Sequence, residues 1–169
     1  MVNPFKPGRA PRGSMVAYWL VKSEPHVYPW EQLVEDEKTH WDGVRNYQAR
    51  NTMRDDMKVG DLVLFYHSNT KPPHVAGVAK VCREGYPDHT AQDPKSNYFD
   101  PKATPENPRW IMVDIEPIGA MESIVTLPDM KANSVLEGMP LLAKGSRLSV
   151  QSVPSEYFTE VCRMGGFNE

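Results

Sequence analysis

Leu62-Val63-Leu64-Phe65-Tyr66-His67 is apolar at every position until its last, and Lys58-Val59-Gly60-Asp61 sets a turn signal immediately before it. A strand that is hydrophobic on both faces has to be covered on both, which a solvent-backed sheet cannot do. Further strands can be read around it. Ala17 to Lys22 is rich in aromatic and branched residues and is stopped by Ser23-Glu24-Pro25. Val75 to Val81 is another strand, and its small residues permit a bend or a close neighbour. Arg109 to Ile115 is a third long strand; Ile124-Val125 and Leu148 to Val150 are shorter ones.

Between these strands the helical signals are brief. Pro29 opens a short helix with Trp30, Leu33 and Val34 as its apolar stripe. Tyr47 to Met57 forms a second, with Ala49, Met53 and Met57 on one side and Arg50, Arg54 and Lys58 on the adjacent one. Leu127 to Leu142 reads as broken helical turns, and Ser155 to Arg163 as a final helix closed by Gly165-Gly166. Mixed strands with short helices between them predict an α+β chain built on a small, partly open barrel.

A length of 169 residues predicts one compact domain with a core that needs no staples. Residues 1–14 differ in composition, with three prolines, three basic residues and no acid; they read as a flexible leader or an expression scar, leaving 15–169 as the domain. Subtracting those three positive charges from a net −3 gives −6 for the body. A body that acidic is poorly suited to neutralising many phosphates of duplex DNA, so any nucleic-acid contact has to be local. Cys82 and Cys162 are far apart and have no metal-ligand spacing. The five histidines also lack such spacing, so neither a metal nor a cofactor is expected. No apolar run reaches the roughly 18 residues of a membrane helix. Without a secretory signal, a cytoplasmic location is expected, or a nuclear one in a eukaryote.

The run Trp41-Asp42-Gly43-Val44-Arg45-Asn46-Tyr47-Gln48-Ala49-Arg50-Asn51 concentrates the chemistry. Its rings can stack on a nucleobase, its amides can read base edges, and its arginines can meet phosphate. The structural alternative is a core tryptophan beside a solvated, charged helix. Ser23 and Glu24 end the first strand, where each can serve a ligand or a turn. His67 stands at a strand end between Tyr66 and Ser68; it is a general-base candidate or a structural hydrogen-bonding group. Residues 85–108, with five prolines, form a long loop that Tyr86, Tyr98 and Phe99 would pack; it is a candidate surface for a protein partner.

Taken in order, YWLVKSEP (18–25), WDGVRNYQARN (41–51), VGDLVLFYHS (59–68), AGVAKV (76–81), DPKSNYFDPKA (93–103) and RLSVQSV (147–153) resemble the EVE domain family. Ser152 departs from the pattern, which has proline there. The resemblance implies a PUA-like mixed β pseudobarrel with short peripheral helices, akin to the YTH and ASCH modules. It also implies a non-enzymatic module whose pocket receives a modified base, with modified cytosine in DNA as the ligand. Carried onto this chain, it makes Trp41 the stacking wall, Ser23 and Asn46 the edge-reading groups, and Tyr66, His67 and Ser68 the floor or opposite wall. Tyr66, Trp110 and Tyr98 compete for the second aromatic wall. Lys22, Arg45, Arg50, Arg54 and Arg147 are the candidates for the pocket mouth and phosphates. Two other readings stay open: an RNA-binding PUA-type module, and a hydrolase using His67 with Glu24 or Asp42.

Overall fold

The computed structural model describes residues 16–168. Six strands form one mixed sheet: β1 (Tyr18–Ser23), β2 (Thr39–His40), β3 (Leu62–His67), β4 (His74–Pro87), β5 (Ile111–Thr126) and β6 (Val150–Ser152). Their spatial order is β2-β5-β4-β3-β1-β6, so the sheet is open, with two very short strands at its edges. Short edges offer little unpaired backbone to another chain. β1 and β3 run parallel, pairing Tyr18 with Leu62 through to Ser23 with His67, and the other neighbours are antiparallel. The helices are α1 (Trp30–Asp36), α2 (Tyr47–Asp55), α3 (Leu127–Lys131) and α4 (Ser155–Gly165).

β3 explains the layering. Val63 and Phe65 join Trp19, Val21, Trp30, Leu33, Trp41, Ala49 and Met53 in the core on one face. Leu62, Leu64 and Tyr66 point the other way and join Leu20, Met121, Met130, Leu136, Phe158 and Val161. A period of two thus delivers alternate side chains to two cores. α1, α2 and the loop at 41–46 cover the first face; α3, α4 and the turns between them cover the second. Gly77 explains the small residues of β4: a Cβ there would lie 2.6 Å from the Trp30 indole, which packs flat on the bare backbone.

The boundaries differ from the sequence reading in informative ways. β5 is one strand where two were expected, because Pro117 and Gly119 disguise its middle. Pro117 stands opposite Ala79, beside a register shift, so its missing N–H falls where the ladder is already irregular. β4 runs on to Pro87, and the long loop therefore begins at Asp88. That loop packs on Ala91, Ala103 and Trp110, whereas Tyr98 and Phe99 are exposed. Val34 is also exposed, which narrows the α1 stripe to Trp30 and Leu33. β6 begins at Val150, later than expected, with Ser152 paired to Trp19 at the sheet edge. No helix among the described residues is long and apolar enough to cross a membrane.

Candidate nucleic-acid site

The C-terminal end of β1, the loop at 41–46 and Tyr98 enclose a cavity of about 520 Å³. Trp41 forms part of its wall, yet the residue is only 9% exposed. The Trp41 N–H donates to the Val113 carbonyl at 2.7 Å, tying the loop to β5. Its indole meets Phe65 edge-on at 5.6 Å and Tyr28 at 6.2 Å. Each such pair contributes about 0.5–1.5 kcal/mol beyond area burial, so the ring's orientation is set by the core. The tryptophan thus packs in the core and also lines the cavity.

The opposite side is built by a long-range latch. Arg45 spends all of its guanidinium N–H groups on protein acceptors. Nη1 donates to the Val44 carbonyl and to Asp88 Oδ2, both at 3.0 Å. Nη2 donates to the Tyr98 carbonyl at 2.7 Å and to Thr90 Oγ1 at 3.4 Å, and Nε reaches the Tyr98 carbonyl at 3.2 Å. Asp88 is fully buried and also accepts from the Gly43 N–H at 2.8 Å. Burial pushes its carboxyl upward, but hydrogen bonds from Thr90, Gly43 and Arg45 outweigh that and hold it below the ordinary aspartate value. Gly43 has φ +78°, and a Cβ there would stand 2.7 Å from the Tyr98 ring. Glycine is therefore needed twice, for the left-handed backbone and for the ring that lies against it. Of the three aromatics that competed for the second wall, Tyr98 lines the cavity. Trp110 instead stacks on Tyr47 and donates its indole N–H to Asp100.

The cavity's polar groups are mainly acceptors and cations. Ser23 lines it, its hydroxyl donating to the Tyr28 carbonyl at 2.6 Å with oxygen lone pairs left over. Glu24 and Asp42 lie in the lining with Lys22. Burial raises the Asp42 carboxyl, a rise opposed chiefly by His40, whose Nε2 is 3.1 Å from Asp42 Oδ2. Burial lowers the Lys22 ammonium. Tyr28, Thr39 and Ser149 complete this part of the wall. Only their neighbourhood could have flagged them, since hydroxyl residues beside a turn or strand are common everywhere.

Several expected site residues stand elsewhere. Asn46 is the N-cap of α2: its Oδ1 accepts from the Ala49 N–H at 2.9 Å, and it does not line the cavity. An asparagine three residues before a helix-facing N–H is a capping signal that its amide chemistry obscured. His67 is buried; Nε2 accepts from the Trp30 N–H at 3.2 Å, so Nδ1 carries the proton and donates to the Ser23 carbonyl at 3.0 Å. Burial lowers its pKa, and the ring serves to join β1, β3 and α1. Tyr66 and Ser68 face a second cleft across β1, described below. Arg50 bonds Asn51 and the Arg109 carbonyl, Arg54 pairs with Asp55, and neither borders the cavity. Arg147 is exposed between Ser146 and Ser149. Among the described residues no group of three His, Cys, Asp or Glu side chains is arranged to hold a metal ion.

The EVE domain profile matches residues 17–164. This chain belongs to the EVE domain family. Thymocyte nuclear protein 1 of Homo sapiens is 37% identical over 86% of this EVE domain chain and 72% of its own length. A Schizosaccharomyces pombe protein is 40% identical over 82% of the chain; the chain spans 64% of that relative. The crystal structure of the human THYN1 protein in complex with 5-methylcytosine containing DNA superposes with a TM-score of 0.82. That match is 36% identical and covers 90% of this chain and 99% of the other. The EVE domain fold, a PUA-like open mixed sheet with short helices around it, is thus shared with a DNA-bound relative.

Proposed function

We propose that this EVE domain is a non-enzymatic reader that takes a modified cytosine of DNA into the cavity beside Trp41. The observation that carries the reading is the cavity itself. It is open to solvent, within the about 300–1,000 Å³ range of small-molecule sites, and bordered by the indole and by two carboxylates. An aromatic face suits any base, and a carboxylate suits the exocyclic amino group of cytosine. The DNA complex of a 36%-identical relative supports the same ligand class. His67 supports the non-enzymatic reading, because both of its ring nitrogens are occupied by backbone groups.

Extruding a paired base costs a few kcal/mol, and one stacking partner returns about 1–3 kcal/mol. Binding is therefore weak to intact duplex and stronger where the base is unpaired. A buried methyl adds about 0.8 kcal/mol, which corresponds to roughly four-fold preference for 5-methylcytosine over cytosine. The test is a titration of matched oligonucleotides carrying one cytosine or one 5-methylcytosine, as DNA and as RNA. Equal affinity for the methylated and bare DNA removes the reader; stronger binding to the RNA set transfers it to the RNA-binding reading. Product formed from either oligonucleotide, and lost in His67→Ala protein that still folds, makes the domain an enzyme.

A further inference from the structure

Across the end of β1 from the base cavity lies a second cleft, of about 570 Å³, with a different charge. Lys22, Lys131 and Lys144 line it together with Ser68, Asn69 and Ser146, and among the described residues no aspartate or glutamate does. None of the three lysines has a carboxylate ion-pair partner among the described residues. Elsewhere on the molecule Lys58 pairs with Glu84 and Lys80 with Glu116, whereas what sets the cleft apart is that three lysines without such a pair line one depression. An acidic body that leaves three ammonium groups together and uncompensated has set aside a place for an anion.

The cleft and the cavity are built from two shared segments. Lys22 lines both, and residues 144–149 contribute Lys144 and Ser146 to the cleft and Ser149 to the cavity, with exposed Arg147 between them. Glu24, on the cavity side, accepts from Asn69 on the cleft side at 2.8 Å, which fixes the partition. We infer that the cleft holds the phosphodiester backbone flanking the nucleotide whose base occupies the cavity. This rests on the reading of the cavity as a base site. It assigns phosphate binding to Lys131 and Lys144, on the face of the sheet opposite α2 and its arginines.

The experiment measures the salt dependence of binding to a single-stranded oligonucleotide for wild-type, K131Q/K144Q and the control K58Q/K80Q proteins. A single-strand phosphate contact contributes about 0.7 to the slope of log K against log salt. Removing two lowers the slope by about 1.4, or about 25-fold in affinity at 0.1 M salt if the contacts vanish at 1 M. The control retains the wild-type slope, and binding of free 5-methyl-2′-deoxycytidine is the same in all three proteins. An unchanged slope in K131Q/K144Q, or an equal drop in the control, overturns the inference while leaving the base reading intact. A lowered slope in a protein that does not distinguish 5-methylcytosine from cytosine keeps the cleft and removes the base reading. Thermal melting of each variant separates lost contacts from lost folding.

Discussion

The two depressions beside β1 share a lysine and little else. The Trp41 cavity has aromatic walls, two carboxylates and an arginine already bonded to the protein; the cleft across the strand has three lysines and, among the described residues, no acid. A base is planar and presents donors that need acceptors, whereas a backbone is an anion that needs only charge. The cavity is welded into the core through Phe65, Val113 and Asp88, while the cleft's lysines have no carboxylate ion-pair partner among the described residues. Shape discrimination demands rigid walls, and charge neutralisation does not.

That contrast can be broken first at Trp41. Trp41→Ala should abolish base binding and also cost about 3–5 kcal/mol of stability, because the ring belongs to core and wall together. Urea unfolding and nucleoside titration on the same protein measure both. Loss of binding with no loss of stability would separate the wall from the core.

Gly43→Ala tests the second wall. The added methyl meets the Tyr98 ring and strains a left-handed backbone, for about 1–3 kcal/mol. Base affinity should fall with it, read by the same titration. Oligonucleotide salt slopes should not move, since Gly43 does not line the lysine cleft.

His67 offers a test by pH. Its folded pKa is depressed by burial, so the neutral ring stabilises the fold fully above the unfolded value near 6.5, and stability is lost as pH falls through the folded value. Melting temperatures from pH 8 to pH 5 should decline more steeply for the wild type than for His67→Gln. Parallel curves would mean that the Trp30 and Ser23 bonds do not depend on the ring's charge. The smallest effect belongs to K131Q/K144Q, whose stability should stay within about 0.5 kcal/mol of wild type, since exposed or half-exposed lysines without partners hold nothing in place.

How much of this was legible beforehand follows from what each feature depends on. β3 could be read because burial writes itself into every residue of that short strand, and β1 because most of its residues are buried. β5 could not, because Pro117 looks like a break unless the register shift opposite it is known. β2, with two residues, carries no period at all. Trp41 and Ser23 reach the cavity as their positions suggested, since a strand end and the loop beside it are close neighbours in space. Lys131 and Lys144 were invisible as partners of Lys22: three elements bring them together, and an isolated lysine on a turn looks like solvated surface. Arg45 does line the cavity, but Asn46 does not, and both show the same ambiguity. Their side chains fit a ligand and the protein's own polar groups equally well, and the protein's groups hold them here.

Arg45 has a consequence beyond its place in the wall. A guanidinium whose every hydrogen is already engaged inside the protein has nothing to offer an arriving strand, so it is not recruited on encounter. The receptacle exists before its guest, and association should proceed at one rate without a slower settling phase.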